Sequence, residues 1–251
     1  MIKPMLAVDA ILDKIRYPVL VQEKIDGVRA FNYQGILYTR TGKPFPNLAI
    51  REKYSKLEYH GYDGEIYDGK SFISTSALCR SIHAHADVEW HVFDTFASKE
   101  VCYTERMEEV NYYPKVKCMY AWHKDGLRDC QNLFIEGEGL ILRNPNSPYK
   151  FGRSTMKDQA LMRIKNFDYN AARVLLVNAR ITKEGEILRE VGSLICMFNG
   201  QEITVSAGRM SKEERILYFC KDFIGRKITF KHLPTGAGER PRFPTFQSVV
   251  K

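Results

Sequence analysis

The sequence predicts an α+β protein in two parts: a mixed region of antiparallel sheets and helices, then a small closed β-barrel. Three observations carry this. Short β-like runs recur at irregular spacing among helix-like stretches, without the regular β-α-β alternation of a parallel sheet. The 251 residues are 44% hydrophobic and 27% charged, enough to bury one large core or two modest ones. After about Phe167 the character changes to strands joined by glycine turns.

In chain order, Pro18-Val19-Leu20-Val21 reads as a short apolar strand. Strand patterns follow at Val28 to Tyr33, Gly35 to Arg40, Glu89 to Phe96, Lys115 to Tyr120 and Gly139 to Arg143. Helix patterns lie at Asn47 to Leu57 and Ser74 to Ala84. In the second part, Arg173 to Arg180, Leu188 to Phe198, Glu202 to Ser206 and Arg226 to Lys231 read as strands. Glu184-Gly185-Glu186 and Asn199-Gly200 are the turns, and the second is a strong hairpin signal. Ser211 and Glu214 form a capping-box pattern in front of a helix over Arg215 to Phe223. About five strands and one helix in so short a region suit a barrel of the oligonucleotide/oligosaccharide-binding (OB) type. The expected division is 1–167 and 168–251, with the boundary near Asn166 to Asn170.

Lys+Arg number 38 against 30 Asp+Glu, a net charge of +8, which favours a polyanionic partner such as nucleic acid. The six cysteines show no zinc spacing, and in a chain of this length they are expected to be thiols of a reducing compartment. No apolar run approaches the length of a membrane span, and Asp9 and Asp13 interrupt the N-terminal apolar stretch as no secretory signal would. The expectation is a monomer in the cytoplasm, or in that of an infected host, with no membrane partner.

The most informative stretch is Lys24-Ile25-Asp26-Gly27-Val28-Arg29, directly after the first strand. A lysine at a strand end, followed by an acid, a glycine and an arginine, reads either as a surface turn or as a nucleophile aimed at a phosphate. A lysine attacks only when neutral, so burial or neighbouring cations must lower its pKa. Asp26 could orient or help deprotonate it. Gly27 lets the chain turn tightly and a ligand approach. Arg29 offers a planar fork of donors. Asp63-Gly64-Glu65 is a turn, or places Glu65 on a ribose hydroxyl or a metal-bound water. Phe93-Asp94 lies in a strand where Phe93 is core, or a platform for a purine. Glu138, before the strand to Arg143, is a turn residue or a support for Mg²⁺, with Glu136 as its rival. Tyr149 to Thr155 is basic and aromatic together, as a loop tracking a phosphate backbone would be. Arg163-Ile164-Lys165 places two cations on one strand face, costly unless an anion binds there. Neither of the familiar glycine-rich phosphate loops occurs.

Taken in order, Lys3 to Ala7, Lys24 to Arg29, Tyr38 to Gly42, Asp63 to Glu65, Phe93-Asp94, Glu138 to Arg143, Tyr149 to Thr155 and Arg163 to Lys165 resemble the covalent nucleotidyltransferases. Within that superfamily they are most similar to the ATP-dependent DNA ligases, and Glu138 to Lys165 and Pro241-Arg242-Phe243-Pro244 resemble the minimal viral and phage forms. The resemblance implies a nucleotidyltransferase domain of ATP-grasp-like antiparallel sheets with helices, followed by an OB-fold domain. It implies ATP and Mg²⁺, with Mn²⁺ as an alternative metal, and nicked double-stranded DNA as partner. Lys24 would become adenylated, with Asp26, Glu138 and Lys165 as its catalytic company. Gln22 falls where the family reads the adenine edge, and Glu23 beside it is expected to bind the nucleotide; Arg29 and Glu65 would hold the ribose and Phe93 would stack on the base. Arg163 and Lys165 would neutralise the α-phosphate, and Arg242 would face the pyrophosphate. Arg40, Lys43, Lys150 and Arg153 would hold DNA, and Glu65 and Glu138 would support the metal.

Two departures stand out. Arg163 occupies a position where the family usually has lysine, and arginine cannot serve as a base. The link Thr182 to Gly192 is a short turn where viral relatives insert a long basic hairpin that clasps the duplex, so no such latch is expected. Lys24 lies so near the start that no preceding DNA-binding domain, and no domain for reading NAD, is expected. RNA ligase and messenger RNA capping guanylyltransferase are the neighbouring alternatives. A non-catalytic OB-type nucleic-acid-binding protein is the alternative of another class.

Overall fold

The computed structural model describes residues 2–85, 87–112, 114–134, 137–233 and 240–250. The chain divides into two compact units, Met1–Lys165 and Asn166–Lys251. The first carries β1 (Val8–Asp9), β2 (Val19–Glu23), β3 (Val28–Tyr33), β4 (Ile36–Thr39), α1 (Leu48–Tyr54), β5 (Tyr62–Tyr67) and α2 (Phe72–Arg80). It continues with β6 (Glu89–Thr95), α3 (Tyr103–Glu109), β7 (Cys118–Ala121), α4 (Lys124–Leu133), β8 (Gly139–Arg143) and β9 (Leu161–Lys165).

These strands form two sheets. One has the order β1-β9-β8-β2-β7, antiparallel apart from the parallel β1–β9 pair. The other, β4-β3-β5-β6, is antiparallel throughout. β2 is buried on both faces, which explains its unbroken apolar run. Val19 and Val21 pack with Leu127 and Cys130 of α4. In the second sheet Ala30, Leu37, Ile66 and Trp90 close over Ile50 and Tyr54 of α1. Each fully buried Val, Leu or Ile among them contributes about 1.5–3 kcal/mol of apolar transfer.

Register positions the chemistry. The antiparallel β2–β8 and β8–β9 pairs bring the end of β2, the start of β8 and the end of β9 together: the Lys24 amide donates to the Gly139 carbonyl at 3.0 Å, and Gly139 pairs with Lys165. On the second sheet Arg29 of β3 faces Glu65 of β5 across the ladder. The turn Lys24 to Gly27 joins the two sheets. Gly27 is needed there for close approach, because a Cβ would stand 2.2 Å from the Ile66 carbonyl oxygen of β5.

The second unit comprises β10 (Asp168–Ile181), β11 (Ile187–Phe198), β12 (Gln201–Ser206), α5 (Lys212–Leu217), β13 (Lys227–Leu233) and β14 (Arg242–Val249). Its strands close into a barrel in the order β10-β11-β12-β14-β13 around Val174, Leu194, Val205, Phe230 and Phe246. This is the OB-type barrel expected from the strand pattern. Asn199 and Gly200 both have positive φ, 48° and 75°, as a two-residue hairpin turn requires. The turn between β10 and β11 is the short one expected, closed by Thr182 and Glu186.

Several bounds differ from the sequence reading. α1 starts after Asn47, whose side chain accepts from the Ile50 amide, and stops at Tyr54 before a separate 3-10 turn, Leu57–Tyr59. Ser71 caps α2, so that helix starts at Phe72 and ends at Arg80. The Ser211–Glu214 capping box is present, but it opens a helix at Lys212 that ends at Leu217. Lys221–Phe223 is a 3-10 turn. β7 begins only at Cys118. β1, α3, β5, α4 and β14 had no counterpart in the sequence reading, and Asp63 to Glu65, read as a turn, lie inside β5, paired on both sides by β3 and β6. All six cysteines are free thiols; Cys79, Cys130 and Cys196 are buried. Among the described residues no helix is long and apolar enough to cross a membrane.

Candidate active site

A cavity in the first unit is lined by Gln22, Glu23 and Lys24 from the end of β2 and by Arg29, Glu65 and Phe93 from the second sheet. Arg40, Arg143, Arg153 and Arg163 add four cations to its wall, and Leu6 and Ala7 close part of it. Lys24 has 20% of its side chain exposed, and its amine donates to Glu138, itself only 8% exposed. The other Glu138 oxygen stands 3.8 Å from the Lys165 amine. Lys24, Glu138 and Lys165 thus form a row across the ends of β2, β8 and β9. Burial lowers the Lys165 pKa against the pull of Glu138.

Asp63, on β5, is fully buried and organises one side of the cavity. Arg29 donates to it through Nε at 2.9 Å and Nη2 at 2.5 Å, and the Tyr149 hydroxyl donates to it at 2.6 Å. Arg29 also donates to the Met5 carbonyl, while the Met5 amide donates to the Tyr149 hydroxyl. The N-terminal segment that supplies Leu6 and Ala7 is thereby tied to Asp63. Beside it, burial pushes the Glu65 carboxyl up to about 7, against Lys24 and Arg29, with Glu138 and Asp63 adding repulsion.

A second buried network lies behind Phe93. Asp94 accepts from Arg106 Nε at 2.7 Å and also from Arg143. Arg143 donates through Nε to Gln22 Oε1 at 2.9 Å. Gln22 donates through Nε2 to the Tyr103 hydroxyl at 2.7 Å. Arg106, Arg143, Asp94 and Gln22 are each about 1% exposed or less. Removing one member of such a buried set leaves an uncompensated charge, at a cost of about 3–5 kcal/mol. The guanidinium groups of Arg29 and Arg143 lie 5.2 and 5.3 Å from the centre of the Phe93 ring.

Of the residues singled out in the sequence, Gln22, Glu23, Lys24, Arg29, Arg40, Glu65, Phe93, Arg153 and Arg163 share this cavity wall. Glu138 and Lys165 join it through Lys24. Arg163 also donates to Asp9 at 2.6 Å, and Arg153 to the Ala7 carbonyl at 2.8 Å. Asp26 is half-buried in the turn after Lys24. Lys43 is exposed, beyond β4 and outside the cavity wall. Lys150 donates to Asp158 at 2.6 Å. Against the push of burial, that ammonium and the Ser154 hydroxyl hold the Asp158 carboxyl well below its usual range. Arg242 is half-buried on β14 of the second unit. Glu136 lies outside the described residues. The sequence reading missed Arg143, Arg106, Tyr103 and the hub role of Asp63. Arg143 carried a usable signal, a cation closing an apolar strand.

No group of three or more His, Cys, Asp or Glu side chains able to hold a metal occurs among the described residues. A divalent ion such as Mg²⁺ usually takes one or two carboxylates together with substrate phosphates, not an all-protein cage. Glu65, whose charge is costly, and Glu138 nearby are a donor pair of that kind.

No family model matches the chain. It is similar to the DNA ligase of Haemophilus influenzae, 24% identical over 90% of this chain and 85% of that protein. It is also similar to African swine fever virus DNA ligases, 26% identical, but spans only 54% of their length. The Chlorella virus DNA ligase-adenylate structure matches with a TM-score of 0.60 and 25% identity, covering 100% of this chain and 98% of that one. A structure of the Lig E DNA ligases matches with a TM-score of 0.80 and 24% identity, covering 98% of both. Motif order and cavity chemistry agree with these likenesses, and together they support a minimal ATP-dependent DNA ligase as what this chain is similar to.

Proposed function

We propose that this ligase seals nicks in duplex DNA that carry a 5′-phosphate beside a 3′-hydroxyl, acting as a monomer with ATP as co-substrate. In the first step the Lys24 amine gives up a proton and attacks the α-phosphorus of ATP. A nitrogen–phosphorus bond forms, the α–β bridging bond breaks, and pyrophosphate leaves with the electron pair. In the second step an oxygen of the 5′-phosphate attacks the same phosphorus, and the lysine amine departs and is reprotonated. In the third step the 3′-hydroxyl loses its proton and attacks the activated 5′-phosphate, expelling AMP.

These steps need charge neutralisation and positioning more than strong acid–base groups. Glu138, already hydrogen-bonded to Lys24, is placed to receive or relay the amine proton. Arg163 and Lys165 supply the positive charge for the α-phosphate. Arg29, held rigidly by Asp63, and Glu65 hold the ribose, and Phe93 supports the base. Mg²⁺, held by Glu65 and Glu138 with phosphate oxygens, would add charge neutralisation. Arg40 and Arg153 meet the nicked strand.

The observation that carries this reading is the Lys24 amine, four-fifths buried on a cavity wall rich in arginine and paired to Glu138. Mixing the protein with α-labelled ATP and Mg²⁺ tests it. Wild type is expected to retain acid-labile label and Lys24→Ala none. The labelled enzyme should then seal nicked duplex DNA in preference to nicked RNA. Label from GTP in place of ATP would point to a capping guanylyltransferase instead.

A further inference from the structure

Gln22 lines the cavity, yet almost all of its hydrogen-bonding capacity is spent behind it. An amide side chain offers two N–H donors and two acceptor positions on its oxygen. Nε2 donates to the Tyr103 hydroxyl at 2.7 Å and to Cys118 Sγ at 3.1 Å. Oε1 accepts from Arg143 Nε at 2.9 Å. Three of the four positions are therefore occupied, and the one left is an acceptor on Oε1.

The amide is held in this orientation from both ends. Arg143 has only donors, so the atom facing it must be oxygen. The Tyr103 hydroxyl spends its proton on the Phe93 carbonyl at 3.1 Å, so the atom facing that hydroxyl must be an N–H. Burial holds the Tyr103 hydroxyl far above its usual pKa, so the proton stays in place at any working pH. Arg143 is anchored by Asp94, which Arg106 anchors in turn. A flipped amide would set its N–H against the Arg143 donors and its oxygen against the Tyr103 oxygen, in a dry site where each mismatch is costly.

We infer that Tyr103 and Arg143 act as positioning residues that lock Gln22 as an acceptor, so that the cavity takes a purine with a 6-amino group and rejects one with a 6-oxo group. This rests on the proposed function, with Gln22 at the base end of the nucleotide. An exocyclic amine can donate to the remaining Oε1 position. A 6-carbonyl would meet it lone pair to lone pair, and the locked amide cannot turn its N–H outward to suit. Sites with a committed polar group discriminate far better than apolar pockets, because the wrong ligand leaves buried groups unpaired.

The test compares covalent labelling of Lys24 by ATP and by inosine triphosphate, which differ at the 6-position and in the N1 proton that accompanies the 6-oxo group, and which both lack a 2-amino group. Wild type is expected to favour ATP by on the order of a hundredfold in kcat/KM. Tyr103→Phe removes the acceptor that fixes Nε2. Arg143→Lys keeps a cation beside Asp94 but gives up the reach to Gln22. Each should cut the ATP preference by about tenfold. A purely structural role would weaken labelling by both nucleotides alike and leave their ratio unchanged, and an unchanged ratio in both variants overturns the inference. Equal labelling of wild type by the two nucleotides overturns it alone. No label from either overturns it together with the reading it rests on.

Discussion

Glu65 carries a costly charge in the cavity. Its carboxyl is pushed by burial to about 7 in the folded protein, from an ordinary value near 4.5. Below about pH 4.5 it is neutral whether the chain is folded or not, and contributes nothing. Between the two values the unfolded chain ionises and the folded one does not, so stability is lost as pH rises, and above about 7 the full penalty is present. Glu65→Gln should therefore raise the melting temperature at pH 8, by a stabilisation on the order of 1 kcal/mol. The gain should fade as the pH approaches 5, while Lys24 labelling falls at both pH values. A melting temperature at pH 8 equal to or below wild type would contradict this. The same residues show what could be read in advance. Lys24 to Arg29 were legible because their reactive groups lie in one hexapeptide. Arg163 and Lys165 were legible because alternation placed two cations on one face. The contacts joining Tyr103, Arg143 and Asp94 to Gln22 and to one another were not, because the paired residues lie 81, 121 and 49 positions apart, and no local pattern reports a contact that only the sheets create.

Among the elements, β8 and its contacts with β2 and β9 set the row of Lys24, Glu138 and Lys165. Gly139 opens β8 with φ of 141°, and a Cβ there would stand 2.0 Å from the Ile164 carbonyl oxygen of β9. Its own carbonyl accepts from the Lys24 amide. Gly139→Ala should thus strain the backbone and push the strands apart, destabilising by at least about 2 kcal/mol. It should also lower Lys24 labelling, because Glu138, the preceding residue, would leave its place beside the amine. Denaturant unfolding and labelling check both parts, and wild-type values in either would show that β8 tolerates the change. Strands such as β3 and β8 were readable from apolar content and turn residues. α3 and α4 were not. α3 has no side-chain cap and follows Cys102, and α4 is capped by His123 and carries Gly126 in its first turn. Each lacks the Ser, Thr, Asp or Asn start signal that marked α2 and α5.

For the molecule as a whole, the net charge of +8 and the short β10–β11 turn bear on how strongly salt weakens its hold on DNA. Binding falls with salt by about 0.9 in log K per log unit of salt for each phosphate neutralised on duplex DNA. A ligase with a long basic hairpin at this point in its barrel adds phosphate contacts that the short turn Thr182 to Glu186 does not supply. Lys183 is the one cation between Thr182 and Glu186, and Glu184 accompanies it. The salt slope for nicked duplex should therefore be shallower than that of a latched relative measured in the same buffer. Grafting a lysine-rich hairpin between Thr182 and Glu186 should change this in a known direction, because an exposed turn tolerates insertion. Each new phosphate contact should steepen the slope by about 0.9 and tighten binding most at low salt, with labelling by ATP unaltered. A wild-type slope as steep as the latched enzyme's, or a graft that leaves the slope unchanged, would show that the grip on the nick does not depend on this turn.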